Sequence, residues 1–283
     1  MTSLPDLDSG TIRKKETVKI GTKSLLMTKD ETDSSISIYI GGHDLYCIDI
    51  NIIKPKTRSK NSIPSGLEDS TLANLSKIQW NQNCSLEYNF KRGIDTTMIL
   101  KFSITYIKKN YPYVKGMTFN DASFRTCDNG NQVSLAMMNY ITTGKTWYEK
   151  NFGAYLESDY LSTFEAAEQK FVKSKTDTSW EALKTTIKKY PIGEEKMKTM
   201  FHAATTWQEF FGPLKDEMGI SEFCVYISSW LEGFIRRTMR FNILGLQYIL
   251  PIQDFGIVYT VSDYQRGGKK FTRKRINRHL DEH

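Results

Sequence analysis

The stretch that decides the fold is residues 83–120, NCSLEYNFKRGIDTTMILKFSITYIKKNYPYVKGMTFN. Its first eight residues predict a short strand, and the segment KRGIDTT that follows contains a glycine suited to a turn. Apolar residues then recur at helical spacing on two adjoining stripes, which are Leu100, Ile104 and Ile107, and Ile99, Phe102 and Tyr106. The helix is predicted to end near Pro112, which cannot continue it, and YVKGMTF predicts a second strand. The predicted order is strand, turn, helix, strand.

The residues before this stretch predict further strands. From Thr17 onward, the segments TVKIGTKSLLMT, SSISIYIGG and LYCIDINII are rich in β-branched and apolar residues, and SSISIYIGG alternates isoleucine with polar or aromatic residues. Residues 54–76 mix proline, serine, asparagine and charges, which is typical of an exposed excursion. Residues 1–15 carry no periodic apolar pattern, so a flexible leader is predicted there.

After residue 120 the pattern becomes mainly helical. Residues 121–130 predict a loop, and VSLAMMNYITTGKTWYEKNFGAYL predicts a helix that ends near Gly144, followed by an aromatic turn. Residues 157–241 predict four amphipathic helices separated by DTS, PIG and EMG. The last of them carries an apolar stripe that predicts core packing rather than a binding surface: Phe223, Ile227, Trp230, Leu231 and Phe234. Residues 243–262 predict a two-stranded hairpin that completes the sheet begun in residues 17–120.

Composition places the chain among folded proteins. Of its 283 residues, 39% are hydrophobic and 25% are charged, which is close to the globular average, and the aromatic content of 12% is high for a disordered chain, so a folded protein is expected. No apolar run reaches the roughly 18 residues of a membrane span, and the start lacks the apolar stretch of a signal peptide. The protein is therefore expected to stay where it is synthesised: in the cytoplasm, and not secreted.

The four cysteines are far apart in the sequence: Cys47, Cys84, Cys127 and Cys224. None of the close pairs used by zinc sites or redox motifs is present, so neither a metal site nor a disulfide framework is expected. A cysteine nucleophile would have to draw on His43 or His202 as its base. The prediction is that the four thiols are small core residues.

Positive charge is concentrated at the end of the chain. Residues 264–283 contain seven lysines or arginines and two acidic residues, so they hold +5 of the total net charge of +7. The rest of the chain is nearly neutral, and no basic stripe marks a folded nucleic-acid-binding surface. A cationic tail attracts phosphates, so nucleic acid or another anionic surface is a predicted partner, with a solubilising or localising role as the alternative.

Three local motifs resemble the GNAT superfamily of acetyltransferases. In that family the acyl-CoA pyrophosphate lies on backbone N–H groups where a strand runs into a helix, and the matching segment here is Lys91–Thr97. The strand YVKGMTFND corresponds to the family strand that splays from its neighbour to admit the pantetheine arm. The segment 145–154, KTWYEKNFGA, is similar to the family's YEKxGF turn, whose tyrosine protonates the departing thiolate in many members.

The resemblance implies an α/β (α+β) fold with a GNAT-like mixed, mostly antiparallel sheet flanked by helices. The implied organisation is a leader (1–15), a GNAT-like core (16–156 with 243–263), a helical insertion (157–242) and a basic tail (264–283). Its implied cofactor is acetyl-CoA, held by Arg92, Gly93, Ile94, Asp95, Thr96 and Thr97. No metal is expected.

The implied reaction is direct transfer of an acetyl group to an amine, which needs a base for the amine proton and an acid for the thiolate. The base is expected on the strand before the phosphate loop, where Glu87 and Tyr88 lie. Alternation lets only one of them face the cleft, and Glu87 is the expected base. Tyr148 is the expected acid. Asn120 and Asp121, at the end of the splayed strand, are expected to orient the substrate.

One departure from the family pattern supports a different function. The family's phosphate loop runs Gln/Arg-x-x-Gly-x-Gly/Ala, and placing Gly93 on the first glycine puts Phe90 at the Gln/Arg position and Asp95 at the second glycine. In a structural interpretation, Asp95 simply N-caps a helix that begins at Thr96. The alternative function is a catalytically inactive GNAT-like scaffold that serves as a structural or interaction protein.

The C-terminal segment GGKKFTRKR and the Lys/Asn/Ile-rich composition also resemble proteins of large nucleocytoplasmic DNA viruses. This likeness implies a viral protein located in the host cytoplasm or the virion.

Overall fold

The structure is a computed structural model that describes residues 10–43, 45–55 and 72–264. The chain divides into two compact units. The first comprises the residues up to Phe119 together with those from Pro251 onward, and the second comprises residues 120–250. The protein is mixed α/β with mostly antiparallel strands, as the sequence predicts. Within the described ranges, no helix is long and apolar enough to cross a membrane.

The elements are numbered in chain order. The strands are β1 (Ile12–Ile20), β2 (Lys23–Glu31), β3 (Ser35–Gly41), β4 (Tyr46–Ile53), β5 (Leu72–Ile78), β6 (Gly116–Asn120), β7 (Phe124–Thr126), β8 (Gln132–Ser134), β9 (Tyr155–Leu156), β10 (Gln247–Pro251) and β11 (Tyr259–Asp263). The helices are α1 (Ile94–Asn110), α2 (Leu135–Thr143), α3 (Trp147–Phe152), α4 (Ser158–Asp177), α5 (Trp180–Ile187), α6 (Glu194–Ala203), α7 (Trp207–Met218), α8 (Ile220–Ile227) and α9 (Leu231–Met239).

The first unit is built on strands in the order β11-β1-β2-β3-β4-β5-β6. Neighbours from β11 to β5 are antiparallel, whereas β5 and β6 are parallel because α1 returns the chain to the same end of the sheet. The parallel register covers three residue pairs, from Leu72 opposite Gly116 to Asn74 opposite Thr118. The parallel pairing with β6 therefore covers only the start of β5. Beyond Asn74, β5 pairs with β4 alone among the described strands.

Helix α1 confirms the central prediction. All six residues of the two predicted stripes are buried, and the helix ends at Asn110, two residues before Pro112. Its N-cap is Gly93, whose φ of 81° lies in the region that favours glycine, and this residue makes no side-chain cap. Strand β6 follows, also as predicted.

The predicted strand NCSLEYNF is wrong. Residues Gln82–Cys84 form a short 3-10 helix, because the Asn81 side chain accepts a hydrogen bond from the Asn83 N–H and starts a turn. The chain cannot extend afterwards, since Tyr88 takes a left-handed φ of 54°. The strand that precedes α1 is therefore β5, which begins inside the stretch 54–76 predicted to be an excursion.

The predicted hairpin of residues 243–262 is also wrong. Strand β10 pairs with β9, whereas β11 pairs with β1 and is not a neighbour of β10. Seven residues, 252–258, separate the two strands, which is more than the two to five residues of an ordinary hairpin loop. Strand β11 instead satisfies the backbone groups of β1, with Val261 opposite Val18.

The cysteine prediction fails as well, because all four cysteines are in disulfides. Cys47 is bonded to Cys84 with Cα atoms 5.8 Å apart, and Cys127 to Cys224 with Cα atoms 5.5 Å apart. The partners are 37 and 97 residues apart in sequence. Rules based on local spacing do not detect such pairs, since only the tertiary fold brings them together.

Other boundaries shift by smaller amounts. Strand β1 begins at Ile12, inside the predicted leader, and the loop predicted at 121–130 contains β7, which pairs with β8. Residues 157–241 form six helices rather than four, because Thr206 caps a new helix and Ser228 ends another. The stripe predicted to be core in the last helical segment is buried throughout. Residues 1–9, 56–71 and the basic tail after residue 264 lie outside the described residues.

Candidate functional site

The predicted phosphate segment lies at the start of α1 in the first unit. The helix begins at Ile94, one residue before Asp95, so the interpretation of Asp95 as the N-cap of a helix starting at Thr96 is wrong. Asp95 lies in the first turn instead, where the positive end of the helix dipole favours a negative charge. The candidate cofactor-binding residues Arg92 and Ile94 are exposed, whereas Asp95 is only 5% exposed.

The carboxylate of Asp95 itself takes the place of a bound anion at the start of α1. Its carboxylate accepts a 2.6 Å hydrogen bond from the Lys91 N–H and lies 3.4 Å from Lys23 Nζ. Lys23 is itself buried, and its ammonium donates to the main-chain and side-chain oxygens of Asn89 at 2.7 and 2.8 Å. The arrangement pairs a buried charge with its opposite and hydrogen-bonds both of them, as burial requires.

Most of the backbone donors in this segment are also engaged. Besides the Lys91 N–H, the N–H groups of Ile94, Asp95 and Thr97 donate to Arg92, Lys91 and Gly93 carbonyls. An acyl-CoA pyrophosphate needs such N–H groups to be free and pointing outward. The start of α1 therefore offers a phosphate few donors and a carboxylate that repels it.

Glu87, the predicted general base, is exposed in the turn before α1 and does not lie on a strand. Its carboxylate accepts hydrogen bonds of 3.1 and 3.0 Å from the Ser24 N–H. Partial burial alone would raise the pKa of Glu87, but these hydrogen bonds outweigh it and lower the pKa below its usual value. A carboxylate held in this way is a weaker base, and Tyr88 beside it is equally outside any strand.

Tyr148, the predicted acid, lies in the second unit on α3. That helix begins with a capping box, in which the Thr146 hydroxyl accepts from the Glu149 N–H and the Glu149 carboxylate accepts from the Thr146 N–H. Tyr148 is buried, and burial followed by the charge of Asp121 raises its pKa well above the ordinary value. The phenol therefore keeps its proton at neutral pH.

Asp121 is 2% exposed and accepts hydrogen bonds from the N–H and the hydroxyl of Ser123. Burial raises the pKa of Asp121, and the hydrogen bonds from Ser123 offset part of that effect. Tyr248 on β10 belongs to the same cluster: burial, then the charges of Glu149 and Asp121, raise its pKa. The structure thus brings Asp121 and Tyr148 together, while Asn120 is an exposed residue at the end of β6.

Two residues of these arrangements were not predicted from the sequence. Lys23 alternates with Leu25 and Met27 along β2, and all three are buried, so a lysine in phase with apolar residues was the available signal. Tyr248 likewise alternates with Leu246 and Leu250, both buried. In neither case does alternation name the partner, which comes from a distant part of the chain.

Neither unit offers a metal site in its described residues, where no three histidine, cysteine, aspartate or glutamate side chains are grouped closely enough to hold an ion. Lys23, Glu87 and the start of α1 belong to the first unit, and Asp121, Tyr148 and Tyr248 belong to the second. Comparison of the chain with family models, curated proteins and solved structures finds no match.

Proposed function

We propose that this protein is a GNAT-like scaffold that does not bind acyl-CoA at the start of α1 and serves as a structural or interaction protein. The observation that carries the proposal is the position of Asp95, whose buried carboxylate accepts the Lys91 N–H and pairs with Lys23. The N-terminal end of a helix that already binds a carboxylate of its own chain has little affinity for a second anion. The two anions repel each other and compete for the same N–H donors.

The GNAT-like part of the proposal is supported by topology. A strand, a helix and a parallel strand follow one another as β5, α1 and β6, and the parallel pairing covers only three residue pairs. Two neighbouring strands that splay apart can form hydrogen-bonded pairs over only a short length, as β5 and β6 do. The segment resembling the YEKxGF turn forms α3 and ends at Gly153 in a left-handed conformation.

The two disulfides bear on where the protein works. Disulfides persist in secreted proteins and on virion surfaces, and they are rare in the reducing cytosol. Both bonds here lie in the interior, since all four cysteines are buried. They favour a virion or another oxidising location over the cytoplasm predicted from the sequence, and they fit a structural role better than a cytosolic enzyme.

The test is titration of acetyl-CoA by calorimetry. The wild-type protein is expected to show no binding up to the millimolar range. Asp95→Asn removes the charge while keeping an acceptor for the Lys91 N–H, and Asp95→Gly removes the acceptor as well. Loss of one like charge a few ångströms from a phosphate is worth on the order of 1–4 kcal/mol, so Asp95→Gly should tighten binding at least tenfold.

A matched control is Asp159→Asn, which removes an acidic residue from the first turn of α4 and should leave acetyl-CoA binding unchanged. Thermal melting shows whether each variant is folded. The proposal is wrong if the wild-type protein binds acetyl-CoA at low micromolar concentration and both Asp95 variants bind it equally well.

Active N-acetyltransferase is the second candidate, and the Tyr148 cluster favours it. A buried, protonated phenol beside Asp121 has the proton that a departing thiolate requires. Release of free CoA from acetyl-CoA in the presence of primary amines would support this function, provided that Tyr148→Phe lowers the rate at least tenfold while leaving the melting temperature unchanged.

A further inference from the structure

The second unit contains a cleft of about 1100 Å³ that neither proposed function uses. Its walls come from the loop at Asp128, from the end of α5 and the residues that follow it, from the end of α7, and from α8, α9 and the residues between them. Ligand sites in proteins have volumes of roughly 300–1000 Å³, so this cleft can hold a small organic molecule together with some water.

Two polar groups among the lining residues lack a partner in the described part of the chain. Tyr226 and Trp230 both line the cleft and are more than nine-tenths buried, and neither the Tyr226 Oη nor the Trp230 Nε1 has a hydrogen-bond partner among the described residues. Buried polar atoms are nearly always hydrogen-bonded, and leaving a donor unpaired is costly. The two rings pack edge to face with centroids 5.4 Å apart, so both unpaired groups belong to one aromatic cluster.

Both unpaired groups act as donors. The indole N–H can only donate. Burial, followed by the effect of Tyr190, raises the pKa of Tyr226, so its hydroxyl keeps its proton at neutral pH. The complementary ligand atom is therefore a hydrogen-bond acceptor, such as an oxygen of an anionic group.

The charges around the cleft favour an anion. Lys188, Lys189 and Arg237 line it against Asp128 and Glu222. In the described part of the chain none of the three cations has a salt bridge, and Arg237 makes only a 3.3 Å hydrogen bond to the Thr186 hydroxyl. An anionic ligand would meet three positive charges and two negative ones, and the three cations have no salt bridge within the described residues.

A glycine keeps the cleft open. Gly233 lies inside α9 and lines the cleft, although glycine is unfavourable in the middle of a helix. A Cβ at this position would lie 3.3 Å from Arg237 Nη1, the movable end of a flexible side chain, and apart from the chain neighbours and the backbone of α9 it would meet no other described atom within 4 Å. A larger side chain at residue 233 has room to extend into the cleft without disturbing the fold.

We infer that this cleft is a binding site for a small organic anion with a planar apolar body, whose oxygen atoms accept hydrogen bonds from Tyr226 Oη and Trp230 Nε1. The aromatic rings contact the apolar body, and Lys188, Lys189 and Arg237 compensate the charge. Both donor atoms are shielded from water. The ligand therefore reaches them when the lining side chains rotate, and it then relieves two unpaired groups.

The test uses two fluorescent probes of the same shape. 8-Anilinonaphthalene-1-sulfonate carries sulfonate oxygens, and N-phenyl-1-naphthylamine is its neutral analogue. The wild-type protein is expected to bind the sulfonate at least tenfold more tightly than the neutral probe. Tyr226→Phe and Trp230→Phe keep a ring but remove a donor, so each should weaken sulfonate binding at least threefold and leave the neutral probe unaffected.

Gly233→Leu places a branched side chain in the cleft beside the aromatic cluster and should weaken binding of both probes, whereas Gly233→Ala is the matched control and should bind them as the wild type does. Near-UV circular dichroism and thermal melting confirm that each variant retains its packed core, which excludes probe binding to a loosened fold. The inference is overturned if the two probes bind wild type equally tightly, if both Phe variants bind the sulfonate like wild type, or if Gly233→Leu has no effect.

Discussion

The start of α1 and the cleft beside α9 are both places where the chain could hold an anion, and they differ in what already occupies them. At the start of α1 the anion is Asp95, buried and paired with Lys23. In the cleft, two donors have no acceptor and three cations have no ion pair within the described residues. The carboxylate at the start of α1 is satisfied by the chain itself, whereas we propose that a ligand satisfies the donors of the cleft.

This difference distinguishes charged groups that stabilise the fold from charged groups that are available to bind a ligand. A buried ion pair that is fully hydrogen-bonded needs nothing further, and removing one partner destabilises the fold. A buried donor without an acceptor destabilises the fold. We therefore expect changes at the start of α1 to alter stability more than changes in the cleft do, and changes in the cleft to alter ligand binding more.

The largest effect is expected from the disulfides, of which each unit has one. Replacing Cys127 and Cys224 by alanine should lower the free energy of unfolding by about 4–5 kcal/mol, because the bond spans 97 residues. The same change at Cys47 and Cys84 spans 37 residues and should cost about 3–4 kcal/mol. Urea unfolding measures both values.

Only the first of these pairs borders the cleft, since Asp128 follows Cys127 and Glu222 precedes Cys224 by two residues. Loss of the Cys127 to Cys224 bond should also weaken sulfonate binding. Equal weakening in the variant without Cys47 and Cys84 would contradict the assignment of the cleft to the second unit alone.

The next effect is expected at Lys23 and Asp95. Lys23→Met and Asp95→Asn should each lower the free energy of unfolding by about 2–4 kcal/mol, because each leaves the other partner buried without its counter-charge. The double variant should lose less than the sum, with a coupling of about 1–3 kcal/mol.

The control pair is Glu232 and Arg236 on the surface of α9, where both side chains are more than half exposed. The same double-mutant cycle on this pair should give a coupling below about 0.5 kcal/mol. Additive losses at Lys23 and Asp95 would show that the two charges do not interact. They would weaken the proposal that the carboxylate of Asp95 takes the place of a bound anion at the start of α1.

A smaller, pH-dependent effect is expected at Asp121. Its pKa is raised in the folded protein by burial, so the folded state holds this proton more tightly than the unfolded state does. The resulting stability is present below the ordinary pKa of about 4 and is lost as the pH rises through the folded pKa. Asp121→Asn lacks the titration and keeps an acceptor for Ser123.

The stability of Asp121→Asn relative to wild type should therefore increase from pH 4 upward, by no more than about 1.4 kcal/mol per pH unit. Urea unfolding at intervals of one pH unit measures the difference, in which the contributions of other groups cancel. A difference that stays constant with pH would show that Asp121 titrates normally.

The smallest effect on stability is expected from the basic tail. Tyr264 donates its N–H to the Lys15 carbonyl, so the deletion should begin at residue 265. Removing residues 265–283 should change the melting temperature by less than about 2 °C and leave sulfonate binding in the cleft unchanged. Binding of a DNA duplex, measured by fluorescence anisotropy, should fall with the deletion and, in the full chain, with rising salt. A large loss of stability would show that the tail is docked on the fold.

Local pattern was sufficient for the elements whose burial follows a period. Helix α1, its end before Pro112, strand β6 and the apolar stripe through Phe223 and Phe234 could all be predicted, because one buried face leaves a regular trace in the sequence. The strand predicted at NCSLEYNF failed for a local reason that the pattern did not contain. The side chain of Asn81 starts a turn there, and Tyr88 adopts a left-handed conformation.

The candidate site was less predictable because its residues act through distant partners. The sequence pointed to Asp95 and Tyr148, but not to Lys23, 72 residues before Asp95, or to Tyr248, 100 residues after Tyr148. Glu87 was chosen as a base on the assumption of a strand, whereas the structure uses its carboxylate to accept the Ser24 N–H.

The sequence by itself determined the mixed class, the order of most helices and strands and the concentration of charge in the tail, because these depend on the periodicity and composition of neighbouring residues. The tertiary structure alone decided the two disulfides, the pairing of β10 and β11 with different strands, the ion pair of Asp95 with Lys23 and the unpaired donors of the cleft. The physical reason is that hydrogen bonds, ion pairs and disulfides act over a few ångströms in space, and closure of the chain into its fold sets those distances irrespective of separation along the sequence.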